Sequence, residues 1–447
     1  MAGQITDFTT GDIRKTLIKF SIPFFLTNLI QSLYNIADIM VVGHFCGSGG
    51  IAGASISGSV TMVITYTIIG LCNGASIMTA QYAGRKSEKD IKETIGTSLA
   101  IMLILSVIVT ALSLLLSNHI LRAINTPDEV FNLTKSYFTI CMTGSVFIFG
   151  YNAVASVLRG MGDSKTPMYI GVGSCLLNIL LDLLFVGVFG MNVSGAALAT
   201  VMSQAASLIG CVIYLKRSDF IFDFKLTSFK IIPSKAAAIF KLGLPGAVQN
   251  MIVSGGFLIV SSITNSLGVY AASGVAVAAK INNLAQMPAG AIGMAVSSMV
   301  GQNVGAENYD RARSVMKNGI AISLIIGAAA FAIVQIFPMT VLGFLTREAA
   351  VLEQAAVYLR VTSFDYLLVA LIFPLNGLCN GSGHTLFTMI PSIFSSVIAR
   401  VPVALLCAVT LNMGLTGIGI STPTGTISAI IICTVYYFSN RWCRRTF

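Results

Sequence analysis

The chain has 447 residues, of which 55% are hydrophobic and only 10% are charged, and its formal net charge is +10. Because a soluble domain carries roughly a quarter charged residues, this composition excludes a soluble globular protein. The basic excess does not indicate a nucleic-acid partner, because most of the 27 lysines and arginines fall in alternate loops between long apolar segments. That distribution is the positive-inside pattern of a membrane protein.

Long apolar segments predict an all-α polytopic membrane protein. Residues 20–84 contain a single charged side chain, Asp38, and residues 242–306 contain only Lys280. Each run is about three times the roughly 20 residues that one crossing needs, so it holds two spans and a turn. Stretches such as residues 101–116 are apolar on every side, unlike the alternating strands of a membrane barrel. Lipid also offers the backbone no hydrogen-bond partner outside a helix.

The order of apolar blocks predicts twelve transmembrane helices. They begin near residues 20, 50, 93, 131, 167, 193, 242, 272, 318, 351, 388 and 415. An even number of spans places both termini on the same side of the membrane. The loops rich in lysine and arginine place that side in the cytoplasm.

Short similarities separated by 221 or 222 residues indicate an internal repeat. They pair FSIP (20–23) with LGLP (242–245), TAQYAG (79–84) with VGQNVG (300–305), RGMGDSKTPM (159–168) with NGSGHTLFTM (380–389), and VSGAA (193–197) with LTGIG (415–419). Since each copy holds six spans, both copies have the same orientation and form a parallel pseudo-two-fold repeat about the membrane normal. We predict two six-helix lobes, residues 1–215 and 242–447, joined by a cytoplasmic linker, residues 216–241.

Proline occupies matching places early in spans one and seven, at Pro23 and Pro245. Each proline removes one intrahelical hydrogen bond and favours a bend. The sequence leaves open whether these bends are packing kinks, which are common in membrane helices, or moving hinges.

Span one carries a polar stripe that ends at Asp38. Asn28, Gln31, Asn35 and Asp38 share one helical face, with Tyr34 beside them. An ionised aspartate at the bilayer centre costs about 3 kcal/mol or more. The stripe is therefore expected to face protein or water rather than lipid.

Span five repeats this pattern, since Ser174, Asn178 and Asp182 follow one another at intervals of four residues. Two acids among neutral oxygens in one lobe predict a site for a shared proton or for a hard cation such as Na+. The sequence does not separate these two ions. The alternative is that both acids bond to neighbouring helices and only fix the packing.

Polar residues of the second lobe extend the prediction to a substrate cavity. Lys280, in the middle of span eight, either lines that cavity or forms a buried ion pair. Arg360 and Arg400 are interpreted as structural residues, Arg400 through Asp365 or through backbone carbonyls. The residues predicted to line the cavity are Gln31, Tyr34, Asn35, Tyr137, Lys280, Asn283 and Asp365.

No sequence pattern indicates an enzyme or a cofactor. The three histidines lie far apart and the nine cysteines are scattered without paired spacing, so neither a metal cluster nor a disulfide framework is predicted. GDSKT (162–166) resembles the end of a phosphate-binding loop, but it lacks the Gly-Lys pair and follows an apolar helix. No ATP site is therefore predicted. An intramembrane enzyme would need a nucleophile and a base, and neither HExxH nor GxSxG occurs.

The chain resembles the multidrug and toxic compound extrusion (MATE) family over nearly its whole length. The resemblance is carried by LYNIADIMVVGHF (33–45), RGMGDSKTP (159–167), NILLDLLFVGVFG (178–190), SGAALATVMSQ (194–204), KLGLPGAVQN (241–250) and, most specifically, VGQNVGAENYDRAR (300–313). It implies a twelve-helix antiporter that exports organic cations in exchange for protons or Na+. In the branch with an acidic N-terminal lobe, it implies a coupling site at Asp38, Asn178, Asp182 and Thr200. Another branch uses a glutamate in span seven, which residues 249–256 lack.

These observations predict a secondary antiporter in a bacterial cytoplasmic membrane that needs no cofactor beyond its coupling ion, H+ or Na+. Its expected partners are the bilayer and a small organic, cationic substrate, and we expect a monomer. The alternative is a flippase for a lipid-linked precursor from the same superfamily, which would call for a more cationic cavity and additional spans. A passive channel is disfavoured because no ring of filter residues repeats.

Overall fold

A computed structural model describes residues 6–218 and 220–444, apart from the side chain of Leu226, and these residues form helices and no strand. In chain order the α-helices are α1 (Ile13–Gly84), α2 (Glu88–Ala123), α3 (Asp128–Thr143), α4 (Ser145–Gly160), α5 (Lys165–Asp182), α6 (Asn192–Arg217), α7 (Pro233–Ser266), α8 (Val269–Gly305), α9 (Tyr309–Ile336), α10 (Pro338–Gly343), α11 (Ala349–Thr362), α12 (Asp365–Gly381), α13 (Leu386–Ile393), α14 (Arg400–Ala404) and α15 (Gly414–Phe438). Three π-helical segments, Leu183–Val188, Phe394–Ala399 and Leu405–Thr410, continue or join these helices, and short 3-10 turns occur at Leu226–Ser228 and Arg441–Cys443.

Most of these helices are long and apolar enough to cross a membrane. Among the described residues, nine helical stretches meet this test, two of them, Lys165–Val188 and Leu386–Thr410, counted with their π-helical segments. Two bent pairs, α3 with α4 at 49° and α11 with α12 at 47°, raise the number to eleven. The 72 residues of α1 are interrupted at Gly47, whose φ of 65° favours glycine. Counting α1 as two spans gives twelve, so the predicted all-α membrane fold is confirmed.

Both halves of the chain repeat the same close contact between helices. In the first half Gly160 of α4 lies against the backbone carbonyl of Ser76 in α1, and in the second half Gly381 of α12 lies against that of Ser297 in α8. A β-carbon at either glycine would collide with the carbonyl, so only glycine lets the two backbones approach so closely. The two contacts are separated by the same 221 residues as the neighbouring sequence repeats.

The helices form two compact units whose boundaries differ from the predicted lobes. One unit contains Leu26–Leu244, and the other contains Asp7–Phe25 together with the chain from Pro245 onward. The prediction placed residues 7–25 in the first lobe and treated residues 216–241 as a separate linker. In the structure, the segment at the start of each half of the chain belongs to the opposite unit: Asp7–Phe25 belongs to the second unit, and the chain from residue 216 to Leu244 belongs to the first.

The N-terminal segment Asp7–Phe25 packs into the second unit for two reasons. Its aromatic side chains, including Phe8, are buried in the same core as residues of α8, α9 and α12, and burying an aromatic ring removes a large apolar area from water. The backbone N–H of Phe8 also donates to Oε1 of Gln302 at 3.0 Å. Arg311 donates to three backbone carbonyls of the segment, those of Phe8 at 3.1 Å, Thr10 at 2.6 Å and Gly11 at 2.8 Å.

The segment before Pro245 packs into the first unit through an equivalent set of contacts. The hydroxyl of Thr97 donates to the carbonyl of Lys230 at 3.0 Å and accepts from the N–H of Ile232 at 3.2 Å. Nζ of Lys235 lies 2.5 Å from Oδ1 of Asp90. A repeated sequence does not reveal this exchange, because exchanged and unexchanged segments carry the same apolar pattern.

Candidate functional site

The predicted acidic site is assembled from four helices of the first unit. The part of α1 before Gly47 supplies Tyr34 and Asp38, and α5 supplies Asn178 and its last residue, Asp182. Thr200 lies in α6, and α3 contributes Tyr137 behind it. The π-helical segment Leu183–Val188 follows Asp182 directly, and such wide turns occur frequently at functional sites.

Thr200 and Asn178 connect the polar groups of this site. With its amide oriented so that both ends are paired, Asn178 donates to Oδ2 of Asp182 at 2.9 Å and accepts from the backbone N–H of Thr200 at 3.1 Å. The hydroxyls of Tyr34 and Thr200 are 3.1 Å apart, and Tyr137 lies beside Thr200. Asn178 therefore holds one oxygen of Asp182 in a fixed position on α5.

The carboxyl groups of Asp38 and Asp182 lie within hydrogen-bonding distance of each other. Oδ1 of each acid is buried and has no hydrogen-bond donor, and the side chain of Asp182 has 0% of its surface exposed. Two facing carboxylates at low dielectric repel each other strongly, so both cannot be ionised unless a positive charge lies between them. The geometry is suited to one shared proton or one small cation.

Neither acid is neutralised by a basic side chain. Ion pairs within residues 6–218 and 220–444 include Lys89–Glu93, Lys225–Asp223, Lys235–Asp90 and Arg313–Asp310. None of them includes Asp38 or Asp182. No group of three or more His, Cys, Asp or Glu side chains in the described part of the chain is arranged to hold a metal ion, so a cation here would rely on the two carboxylates and neutral oxygens.

A cavity of about 90 Å³ inside the first unit is lined by Tyr34 and Asn178, the neighbours of the acidic pair, although neither Asp38 nor Asp182 lines it. Its lining includes Gln31 and Tyr34 of α1, Ser174 and Asn178 of α5, and Gln204 of α6. The side-chain oxygen of Gln204 is buried without a hydrogen-bond partner. A cavity of this volume holds several water molecules, and its polar groups favour a hydrated interior.

The structure brings together only some of the predicted cavity residues. Gln31 and Tyr34 line the cavity, and Tyr137 is buried at 7% exposure beside Thr200. Asn35 is exposed in the first unit. The three predicted residues of the second unit are placed differently, since Lys280 and Asn283 of α8 are exposed and Asp365 is buried at the start of α12.

Sequence reasoning missed Gln204 and Tyr151 in the cavity lining. A signal for Gln204 was present, because Thr200, Ser203, Gln204 and Ser207 form a polar stripe along α6 of the kind identified in spans one and five. Tyr151 carried no comparable pattern, since its neighbours in α4 are mostly apolar.

Comparisons with known proteins agree with this architecture. The MatE family model matches the chain twice, over residues 23–184 and 245–406. Relatives include the probable multidrug resistance protein YpnP of Bacillus subtilis (strain 168), 29% identical over 440 residues that cover 98% of this chain and 97% of the relative. The probable multidrug resistance protein NorM of Thermotoga maritima is 28% identical over 442 residues, 97% of this chain and 94% of that protein.

A solved structure is similar over the full length of both chains. It is described as the outward-facing conformation of a multidrug resistance MATE family transporter of the MOP superfamily, and it matches with a TM-score of 0.91 and 25% sequence identity. This likeness supports twelve helices in two repeated bundles. The two family matches begin at Pro23 and Pro245 and are equally long. Two matches to one family model confirm the internal repeat.

Proposed function

Because the chain belongs to the MatE family, whose members are multi-pass membrane transporters rather than enzymes, we propose that it is a secondary antiporter that exports small organic cations. The export is driven by inward movement of a proton or Na+ through the first unit. The family resemblance predicted from the sequence motifs is confirmed by the comparisons. The coupling ion, the charge of the substrate and the residues involved belong to the proposal.

One observation carries the proposal. Asp38 and Asp182 approach each other next to Tyr34 and Asn178, which line the cavity of the first unit, and have no basic partner among the described residues. A permanent structural role would be served by a fixed counter-ion, since an uncompensated buried charge is costly. A pair left without one is suited to an exchangeable positive charge.

Exchange follows from competition for the same negative charge. When the pair is deprotonated, it attracts a cationic substrate into the cavity, and when an ion binds, that attraction is lost. Antiport then needs only that the ion and the substrate favour different conformations of the transporter. Asn178 positions Asp182, and Thr200 and Tyr34 supply neutral oxygens next to the pair.

The direct approach of the two carboxyl groups favours a proton over Na+. A shared proton needs one oxygen of each acid within hydrogen-bonding distance, which is the arrangement found. A metal ion must instead lie between the carboxylates and would recruit further oxygens as ligands. Thr200 and Asn178 are the neutral groups that could provide them.

The chemistry of the cavity favours organic cations over an anionic lipid precursor. Its lining contains no lysine or arginine, whereas a flippase for a phosphate-bearing lipid needs positive charge. Two relatives are named as probable multidrug resistance proteins, which fits a transporter that accepts several apolar cations. We further propose a monomer in a bacterial cytoplasmic membrane with both termini in the cytoplasm, as the distribution of basic loops predicts.

The test is efflux of a fluorescent cationic dye from proteoliposomes under separate proton and Na+ gradients. We expect Asp38→Asn and Asp182→Asn to lower gradient-driven transport by about 10- to 100-fold, because the amide cannot exchange a positive charge. Asp128→Asn is the matched control, since Asp128 is an exposed acid at the start of α3. If Asp38→Asn transports as fast as Asp128→Asn, with the same ion dependence, the first unit does not hold the coupling site.

A further inference from the structure

The second unit contains a buried pair of opposite charges that the proposed transport cycle does not use. Asp365 and Arg400 are exposed by only 3% and 8%. Neither forms an ion pair within 4.0 Å among the described residues, so their opposite charges act on each other over a longer distance. Oδ1 of Asp365 and Nε of Arg400 are buried without hydrogen-bond partners. The other carboxylate oxygen accepts from Nε2 of Gln286 at 3.3 Å, and Thr426 lies beside this acid.

π-helical segments fix how the second unit corresponds to the first. Leu183–Val188 follows α5, and Leu405–Thr410 is its counterpart 222 residues later. The second unit has one additional π-helical segment, Phe394–Ala399. A π-bulge inserts one residue into a helix, which explains why the repeat spacing changes from 221 at residues 380–389, just before this segment, to 222 at residues 415–419 after it.

This register makes Arg400 the counterpart of Asn178, the residue that positions Asp182. By the same spacing, Ala404 replaces Asp182 and Thr422 corresponds to Thr200. The second unit therefore lacks the acid of α5 and carries a guanidinium where the first unit carries an amide.

The surroundings of Thr200 are partly retained in the second unit. Tyr137 lies beside Thr200 in the first unit, and Tyr358 lies beside Thr422 in the second. The retained pair shows that the two places are equivalent in structure as well as in sequence. At Arg400 the second unit therefore has a positive charge where the first unit has a neutral amide, while the neighbouring tyrosine and threonine are retained.

The guanidinium of Arg400 faces an aromatic ring of its own unit. Its Cζ lies 4.8 Å from the centroid of the Phe257 ring, a distance at which the ring face attracts a cation. Asp365 is a buried negative charge of the same unit that acts on Arg400 without a direct ion pair. Because neither charge is stable alone in a buried place, each compensates the other.

We propose that Arg400 is a built-in cation that neutralises Asp365 and permanently takes the place, in the second unit, of the exchangeable ion of the first. The second unit then exchanges no ion, and the ion dependence of transport arises from the first unit alone. This inference builds on the proposed coupling site at Asp38 and Asp182, but the charge balance of Asp365 can be tested without it.

The experiment removes the guanidinium of Arg400 by substitution and supplies methylguanidinium in solution instead. Arg400→Ala leaves Asp365 without its positive charge, so methylguanidinium, the severed end of the side chain, should bind in the vacated place. We expect millimolar methylguanidinium to raise the thermal unfolding midpoint of purified Arg400→Ala in detergent by about 1–3 °C. The wild type should show no such rise, and neither should Arg360→Ala, which removes an exposed arginine of α11.

Two further variants decide the outcome. Arg400→Ala with Asp365→Asn should unfold at a higher temperature than Arg400→Ala alone and should lose the response to methylguanidinium, because the negative charge is gone. Arg400→Ala with Asp38→Asn should keep the response. If the double variant with Asp365→Asn is no more stable than Arg400→Ala, or if methylguanidinium stabilises both equally, Arg400 is not the counter-ion of Asp365.

The folding of Arg400→Ala does not limit this test. Should that variant fail to fold, recovery by Asp365→Asn still reports on the pair, and absence of recovery overturns the proposal. Loss of transport in Asp38→Asn is measured separately. A failure of the proposed coupling site is therefore distinguishable from a failure of the role given to Arg400.

Discussion

Thr200 is the residue whose hydroxyl connects α6 to the tyrosines beside the acidic pair. It lies 3.1 Å from the hydroxyl of Tyr34, and Tyr137 is its other polar neighbour. Thr200→Val keeps the shape of the side chain and leaves both tyrosines without this partner. We expect a loss of about 1–3 kcal/mol in the free energy of unfolding and a weaker apparent affinity for the coupling ion, measured from the ion dependence of dye efflux.

Thr200→Ser is the matched control for this prediction. It retains the hydroxyl and removes only a methyl group, so its ion dependence should stay close to that of the wild type. A Thr200→Val variant with wild-type ion dependence would show that this hydroxyl does not assist ion binding, whatever its effect on stability.

Charge made part of the site predictable from sequence. Asp38 and Asp182 stand out because ionised residues in membrane spans are costly and need a reason to be there. Gln204 carries no charge, so only the polar stripe along α6, and not the residue itself, indicated its place in the cavity. The contact between Arg400 and the ring of Phe257 was also beyond prediction, since it joins residues far apart in the sequence and depends on the rotation of two helices.

Pro23 and Pro245 lie where the chain passes from one unit to the other. Pro23 is two residues before Phe25, the last residue of its segment in the second unit, and Pro245 directly follows Leu244, the last residue of the first unit. Both prolines are inside continuous helices, α1 and α7. A missing intrahelical hydrogen bond at such a place lowers the cost of bending.

We predict that Pro23→Ala and Pro245→Ala slow dye efflux several-fold without lowering the thermal unfolding midpoint, because alanine restores the hydrogen bond and stiffens the helix. Pro423→Ala is the control, since Pro423 lies inside α15, away from both crossings. Equal transport by Pro23→Ala, Pro245→Ala and Pro423→Ala would indicate packing kinks rather than hinges.

Helix number and order could be predicted because each span needs about 20 apolar residues. The break at Gly47 also falls between the first two predicted spans. The π-helical segments could not be predicted, because a one-residue insertion leaves the apolar pattern of a membrane helix unchanged. Their positions became informative only once the backbone of both repeats could be compared.

At the scale of the whole molecule, the repeat was visible in the sequence but the exchange of segments was not. Short matches at a constant spacing reveal two copies. They do not reveal which copy a segment packs against, because that choice depends on a few specific contacts. In the second unit these contacts come from Gln302 and Arg311, within the motif that most strongly suggested the family.

Arg311 is expected to determine how firmly the segment Asp7–Phe25 is held in the second unit. It donates three hydrogen bonds to backbone carbonyls of this segment, at 2.6–3.1 Å. Hydrogen bonds from a charged donor each contribute roughly 1.5–3 kcal/mol. Arg311→Ala should therefore raise local opening of residues 7–12 by about 10-fold or more, measured by hydrogen exchange with mass spectrometry.

Arg313→Ala is the control for Arg311→Ala. Arg313 lies two residues further along α9 but contacts Asp310, Asn440 and the ring of Trp442 instead, so its loss should leave exchange in residues 7–12 unchanged and affect the chain around Trp442. Equal exchange in the two variants would mean that the buried aromatic side chains alone hold the segment. Faster exchange in Arg311→Ala only would show that this arginine attaches the segment to the second unit. The attached segment would then be the fixed end from which α1 bends at Pro23.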